Sequence, residues 1–410
     1  MTKCKLVKNT KFRVSPDTIP NVPNLRFPGF EGEWESRKLS TYLYENKERN
    51  RAGEFNKSDV LSVSGDCGIV NQIELLGRSF AGKSVADYHI VRTGNIVYTK
   101  SPLKEYPYGI VKYNSGKDGI VSTLYAVYHH RENVNGRFVE HYFTSPQRTN
   151  RYFKPIVRIG AKHDMKIGND EVLDNSVLFP GLDEQNRITE LLDLLNQRIA
   201  IQNKVIEKYK SLISAIIQHS QRHAIRNVYL RDVLSERKEL NTAGYDIFSV
   251  SVSQGVINQI EYLGRSFAAK ETSHYHVVRD GDIVYTKSPT GDFPYGIVKQ
   301  SQQKEPVAVS PLYGVYEPVT KEMGTYLHFY FYSPENTKNY LSRLIQKGAK
   351  NTINITNQHF LDNTVKVPED SSLKAVVIIV SKLSQLIELE EKRAIALQRQ
   401  KAFFLSNLFI

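Results

Sequence analysis

From Asp183 to about Gln218 the chain carries no Pro or Gly, and apolar residues return at alternating steps of four and three. Ile188, Leu192, Leu195, Ile199, Ile206, Tyr209, Ile213 and Ile216 fall on that seam, with Gln202 as its one polar interruption. A heptad stripe of this length predicts a long helix packed against a partner helix. A second stretch, about Ser371 to Asn407, places Val376, Val380, Leu383, Ile387, Ala394, Leu397 and Phe404 on a rougher stripe. Glu390 sits at the position matching Gln202, and Lys401 falls on the seam. Each helix would run about 35 residues, or roughly 50 Å at 1.5 Å per residue. The segments ahead of each helix read differently. HIVRTGNIVYTK and HVVRDGDIVYTK predict two short strands around a T-G-N or D-G-D turn, and STLYAVYHH and SPLYGVYEP add further strands.

These patterns occur twice. Residues 68–112 and 255–299 align without a gap at an offset of 187, and 30 of the 45 positions are identical. GAK at 160–162 returns at 348–350, and LDNSV at 173–177 returns as LDNTV at 361–365. Pro180 pairs with Pro368, each shortly before a helical stretch. The expected fold is therefore α+β: two repeated globular domains alternating with two long helices. The boundaries read as a tail over 1–24, a first domain over 25–182, a helix over 183–221, a second domain over 222–370 and a helix over 371–410.

Composition narrows the partners. A formal charge of +12 over 410 residues points to a polyanion, most often nucleic acid. Cys4 and Cys67 are too few for a disulfide framework or a cysteine zinc site and read as reduced, structural residues. MTKCKLVKNTKFRV lacks the apolar core of a signal peptide, and no run reaches the roughly 18 apolar residues of a membrane span. The expectation is a soluble, basic, cytoplasmic protein.

One motif invites a different reading. GRSFAGKS (Gly77–Ser84) satisfies the G-x-x-x-x-G-K-[ST] phosphate-loop pattern. A working phosphate loop lies between a buried strand and a helix, whereas here the chain turns to strand pattern within about six residues. The second copy reads GRSFAAKE, without the second Gly or the Ser. What the copies share is G-R-S-F-A-x-K, and nucleotide binding is not expected. H-E-x-x-H, C-x-x-C, G-x-S-x-G and N-P-P-[FY] are absent too. His89 and His276 match across the repeat but have no ligand partner at metal spacing, so a structural role is expected. The chain reads as a binder, not an enzyme.

The order globule, long helix, globule, long helix resembles the specificity (S) subunit of type I restriction–modification systems. NLRFPGFEGEWESRKLS (24–40) looks like that family's entry to its first target-recognition domain, and GNIVYTKS and GDIVYTKS like its G-D-I-hydrophobic strand and loop. LFPGLDEQNRITELLDLLNQRI looks like its P-x-x-x-E-Q lead-in to the first conserved helix, while VPEDSSLKAVV departs from that pattern. The resemblance implies a non-catalytic subunit that recognises a bipartite site in double-stranded DNA. Its two long helices would pair as an antiparallel coiled coil that spaces the two target-recognition domains, and two modification (methyltransferase) subunits would dock on it. No cofactor is implied for this chain: S-adenosylmethionine, ATP and Mg would belong to partner subunits, including restriction subunits for translocation and cleavage.

In such a reader Lys and Arg neutralise phosphates, and polar side chains at base edges choose sequence. A spacer of fixed length would hold half-sites about one duplex turn, roughly 34 Å, apart. The candidate DNA contacts are Arg78, Ser79 and Lys83 with Arg265, Ser266 and Lys270; Thr99, Lys100 and Ser101 with Thr286, Lys287 and Ser288; and Tyr108 and Lys112 with Tyr295 and Lys299. Ile73, Leu76, Phe80, Ile96, Val97, Ile110 and Val111 are expected in the core. Retained N-Q-I-E, G-R-S-F and Y-T-K-S suggest that both domains read related bases, hence a nearly palindromic site. The loop tips LKEY (103–106) and TGDF (290–293) differ, and would separate the half-sites if they read bases. The alternatives are a protein-assembly scaffold and an RNA-binding scaffold, the latter suggested by charge and 24 Tyr.

Overall fold

The strand Ile96–Thr99 is buried along its whole length, and its alternation sorts side chains into two cores. Ile96 and Tyr98 join an aromatic core with Phe138, Phe143, Phe153 and Phe179. Val97 points the other way, into an aliphatic core with Leu61, Val91, Val121 and Val127. The second copy repeats the division: Val284 packs with Val256, Val278, Val307, Val309 and Val315. The computed structural model describes residues 7–8, 21–160, 165–224, 226–265, 271–347 and 353–410. It divides into two units, Met1–Ile201 with Ala394–Ile410, and Gln202–Arg393.

In the first unit an antiparallel sheet orders Leu43–Glu45, Tyr125–His130, Ile96–Thr99 and Val111–Tyr113. Two ladders lie on its other side, Leu61–Ser64 with Gly68–Asn71 and His89–Val91 with Gly119–Val121, linked by a parallel bridge from Val60 to Ile120. The second unit repeats the sheet with Leu234–Glu236, Gly314–Pro318, Ile283–Tyr285 and Val298–Gln300. Its second layer is one mixed sheet ordered Gly255–Asn258, Ile247–Ser251, Val307–Val309 and His276–Val278. Two capped helices cover each main sheet, Gly136–Phe143 and Pro146–Phe153 in the first unit, Lys321–Tyr330 and Pro334–Leu341 in the second.

The strands flanking the T-G-N turn form but do not pair with each other. His89–Val91 and Ile96–Thr99 belong to different layers, as do their counterparts. The cause is local: Asn95 Oδ1 accepts the Arg92 N–H at 2.8 Å, Asp282 Oδ2 accepts that of Arg279 at 2.8 Å, and each turn carries the chain across to the next layer.

The long helices are Leu182–Arg222 and Asp370–Asn407. Within the first unit, Ile188, Leu192 and Leu195 near the start of one share a core with Phe404, Leu408 and Phe409 at the end of the other, so they run antiparallel. Within the second unit Gln202 and Glu390 meet: the amide donates to the carboxylate and, at 3.2 Å, to the Glu390 backbone carbonyl. The two polar interruptions in the seams thus satisfy each other. Near the end of the first helix burial moves from Ile216 to Ile217, the drift expected where 3.6 residues per turn outruns a strict heptad. Arg26 fixes the start of that helix: its guanidinium grips the buried Glu184 carboxylate through two hydrogen bonds, at 2.7 and 2.8 Å. NLRFPGF and PGLDEQN thereby close on each other.

Ile96, Val97, Ile110 and Val111 are buried, but Ile73, Leu76 and Phe80 are 40, 51 and 57% exposed. Gln72–Leu76 is a single helical turn held by polar contacts, with no apolar layer above it. Cys67 is exposed in a turn, not a core residue, and Cys4 lies outside the described residues. His89 is buried in its strand, and burial pushes its pKa down to about 4. Among the described residues no helix is long and apolar enough to cross a membrane.

Candidate nucleic-acid interface

Each main sheet carries one protruding loop, 100–110 in the first unit and 287–297 in the second, built by the same contacts. The Tyr98 hydroxyl donates to the Tyr108 carbonyl at 2.6 Å, and that of Tyr285 to Tyr295 at 2.8 Å. Thr99 Oγ1 accepts the Ile110 N–H, and Thr286 Oγ1 that of Ile297. The base of the loop allows only glycine. Gly109 sits at φ +89°, and a Cβ there would lie 2.0 Å from the Thr99 carbonyl oxygen; at Gly296 the distance to Thr286 would be 1.9 Å. At the tip, Leu103 and Tyr106 exchange backbone hydrogen bonds, as do Thr290 and Phe293. Tyr106 and Phe293 turn inward, and Leu103, Lys104 and Glu105, or Thr290, Gly291 and Asp292, face solvent.

The N-Q-I-E run is a scaffold for the next segment. Asn71 caps the short helix by accepting the Ile73 and Glu74 N–H groups, as Asn258 does for Ile260 and Glu261. Gln72 accepts the Phe80 N–H at 2.6 Å and fixes the chain beyond Gly77. There Arg78 is exposed with its guanidinium 4.6 Å over the Phe80 ring, Ser79 is half-buried and Lys83 exposed. No helix follows Lys83 before the strand at His89, so the strand–loop–helix cradle of a nucleotide site is absent from this stretch. In the second unit Arg265 is exposed; Ser266 and Lys270 lie outside the described residues.

The remaining candidates divide by exposure. Ser101 and Ser288 face solvent, and Tyr108 and Tyr295 are half-buried. Thr99 and Thr286 are buried and committed to the loop backbone. Lys100 donates to the Ile167 carbonyl at 2.8 Å and to Asn169 Oδ1 at 2.6 Å. Lys287 has no such partner among the described residues, although Asn357 is held by Glu236 as Asn169 is by Glu45. Partial burial lowers both lysines' pKa. Lys112 pairs with Glu140 at 3.3 Å, and Lys299 is 3% exposed. Thr99, Thr286 and Lys299 therefore do not present a polar atom at the outer surface: their strands are covered on both faces. Asn169 and Asn357, which support the lysines' surroundings, lie too far along the chain for a spacing argument to find. The differing tips were visible in the repeat.

Among the described residues no cluster of three or more His, Cys, Asp or Glu side chains is placed to hold a metal ion. The whole chain is similar to the S subunit of a type I restriction–modification system from M. genitalium. The TM-score is 0.56 at 12% identity, over 95% of this chain and 99% of that one. The chain shares the S-subunit fold. Two further similar structures are a chain of a type I R-M system (TM-score 0.47, 13% identity, 92% and 97% covered) and the HsdS subunit from Thermoanaerobacter tengcongensis (0.38, 14%, 92% and 96%). No protein-family model and no curated protein sequence matches the chain. Within the S-subunit fold, the loops at 100–110 and 287–297 are the repeated, exposed features whose tips differ between the units.

Proposed function

We propose that this chain is the sequence-specific DNA-binding specificity subunit of a type I restriction–modification complex. Each unit reads one half of a bipartite duplex target, and modification subunits that carry the methyl donor dock on the chain. The observation that carries this reading is the pair of loops at 100–110 and 287–297. Their bases are held identically by Tyr, Thr and Gly, and their solvent-facing tips differ, which is how a common frame reads two different half-sites. Arg78, Lys83, Arg265 and Lys287 supply phosphate contacts, the sequence-independent share of affinity. Because Asn71, Gln72, Tyr98 and Thr99, like Asn258, Tyr285 and Thr286, perform internal structural work, the retention of those positions carries no information about bases. The half-sites are therefore expected to differ.

The test is to map methylated adenines across a host genome with and without this gene, its modification partner being expressed. Loss of one bipartite motif is the expected outcome. An unchanged methylome would sink the specificity role and favour an assembly adaptor.

A further inference from the structure

In the second unit a cavity of about 240 Å³ opens beside the main sheet, lined in part by Lys210, Lys299, Gln303, His328, Tyr332 and Ser384. It could hold several waters at about 30 Å³ each. Lys299 enters it from strand Val298–Gln300 with 97% of its surface buried. Its ammonium has no carboxylate in ion-pair range and no hydrogen-bond acceptor among the described residues. Its one contact of note is the Tyr332 ring, 4.5 Å away. A buried cation in that state is costly, and its pKa is pushed down to about 8 by loss of water.

The first unit shows how the same position is completed. Lys112, the counterpart of Lys299, pairs with Glu140 at 3.3 Å, and Glu140 also accepts the Tyr113 N–H at 3.1 Å. In the second unit the matching N–H, that of Gln300, is accepted at 3.0 Å by Nδ1 of His328. His328 therefore stands where Glu140 stands, and the negative charge is gone. Accepting at Nδ1 places the imidazole proton on Nε2, which makes that nitrogen a donor. His328 stays neutral near pH 7, because burial and the Lys299 charge lower its pKa to about 3. The acids on the cavity wall do not replace Glu140. Glu391 engages Lys210 at 3.4 Å, Glu388 makes no ion pair with Lys299, and no other carboxylate among the described residues reaches it.

We propose that this cavity binds a small oxyanion, phosphate or a carboxylate-bearing small molecule, between the Lys299 ammonium and the His328 Nε2–H. The anion supplies from solution the charge that Glu140 supplies covalently in the first unit. The site is independent of DNA reading, since Lys299 is enclosed.

Titration calorimetry on the full chain at fixed ionic strength tests this, with inorganic phosphate and acetate as separate probes. Wild type, Lys299→Met and His328→Glu are compared. The expected result is one saturable site for phosphate or acetate, weakened at least tenfold in both variants; the probe that saturates identifies the ligand class. His328→Glu installs the residue of the first unit, so it should fold, and should melt higher than wild type without added anion. It keeps the test decisive if Lys299→Met fails to fold. Absence of saturable binding by either probe would overturn the proposal, as would binding retained in His328→Glu. Release of anion only on adding duplex DNA would assign Lys299 to the nucleic-acid surface and overturn it equally.

Discussion

Lys100 and Lys287 follow the same strand in two copies of one sheet, yet the first donates to Ile167 and Asn169 while the second has no such partner among the described residues. The contrast recurs. Lys112 faces Glu140 where Lys299 faces His328. The first long helix begins at a buried, two-pronged Arg26–Glu184 pair, the second at an exposed pair in which Arg226 meets Asp370 at 2.6 Å and also donates to the Pro368 carbonyl at 3.3 Å. At these positions the first unit supplies an internal partner that the second lacks, although the second unit pairs other cations fully, as Arg237 with Asp282. Duplication therefore preserved the framework, where Tyr, Thr and Gly hold the loop, and let the electrostatic completion diverge.

The largest predicted difference concerns the helix starts. Arg26→Ala strands a buried carboxylate and should cost about 3–5 kcal/mol, whereas Arg226→Ala should cost about 1 kcal/mol or less. Urea unfolding of the two variants measures both, and equal losses would break the contrast. Next comes acid sensitivity. The buried His89 titrates near 4, below the ordinary value of 6.5, so the unfolded chain takes up its proton first. Stability should be intact above pH 6.5 and fall by on the order of 3 kcal/mol towards pH 4. Melting curves of His89→Gln should show a flatter profile over that window.

A smaller effect separates the loop lysines. Lys100→Ala leaves two acceptors without a donor and should cost about 1–3 kcal/mol. Lys287→Ala should leave unfolding unchanged but lower duplex affinity and reduce the salt slope by about one. Binding isotherms at several salt concentrations distinguish the two, and a normal slope in Lys287→Ala would remove that residue from the interface. Small too for the fold is an exchange of tips, with TGDF placed at 103–106, which forfeits the hydrogen bond from the Tyr106 hydroxyl to the Thr144 carbonyl. Stability should change by less than about 1 kcal/mol, while the methylated motif changes in one half only.

Much of the architecture was legible. The heptad seams gave both helices, and the matching positions of Gln202 and Glu390 proved to be a contact pair. The burial of Ile96, Val97, Ile110 and Val111 followed from a continuous apolar run. Ile73, Leu76 and Phe80 were misjudged because a five-residue turn can be held by Asn71 and Gln72 alone, a polar mechanism that hydrophobicity does not report. The candidate site was less legible. Repeat identity marks what both copies need, and here that need is largely internal. Thr99, Thr286 and Lys299 are retained inside the fold, whereas the solvent-facing loop tips differ. Glu140 against His328 carried information precisely because the repeat failed there, although no motif would single it out.

The Gln202–Glu390 contact also bears on how such a chain can change over generations. Sliding either helix by one heptad would set each polar group against an apolar neighbour, at a cost that selection would notice. Inserting residues into one helix alone is therefore expected to be costly, whereas matched, whole-heptad changes in both helices would keep the contact. The register acts as a ratchet on inheritance: under the proposed function, new specificities would come cheaply through the loops and new spacings only in discrete steps.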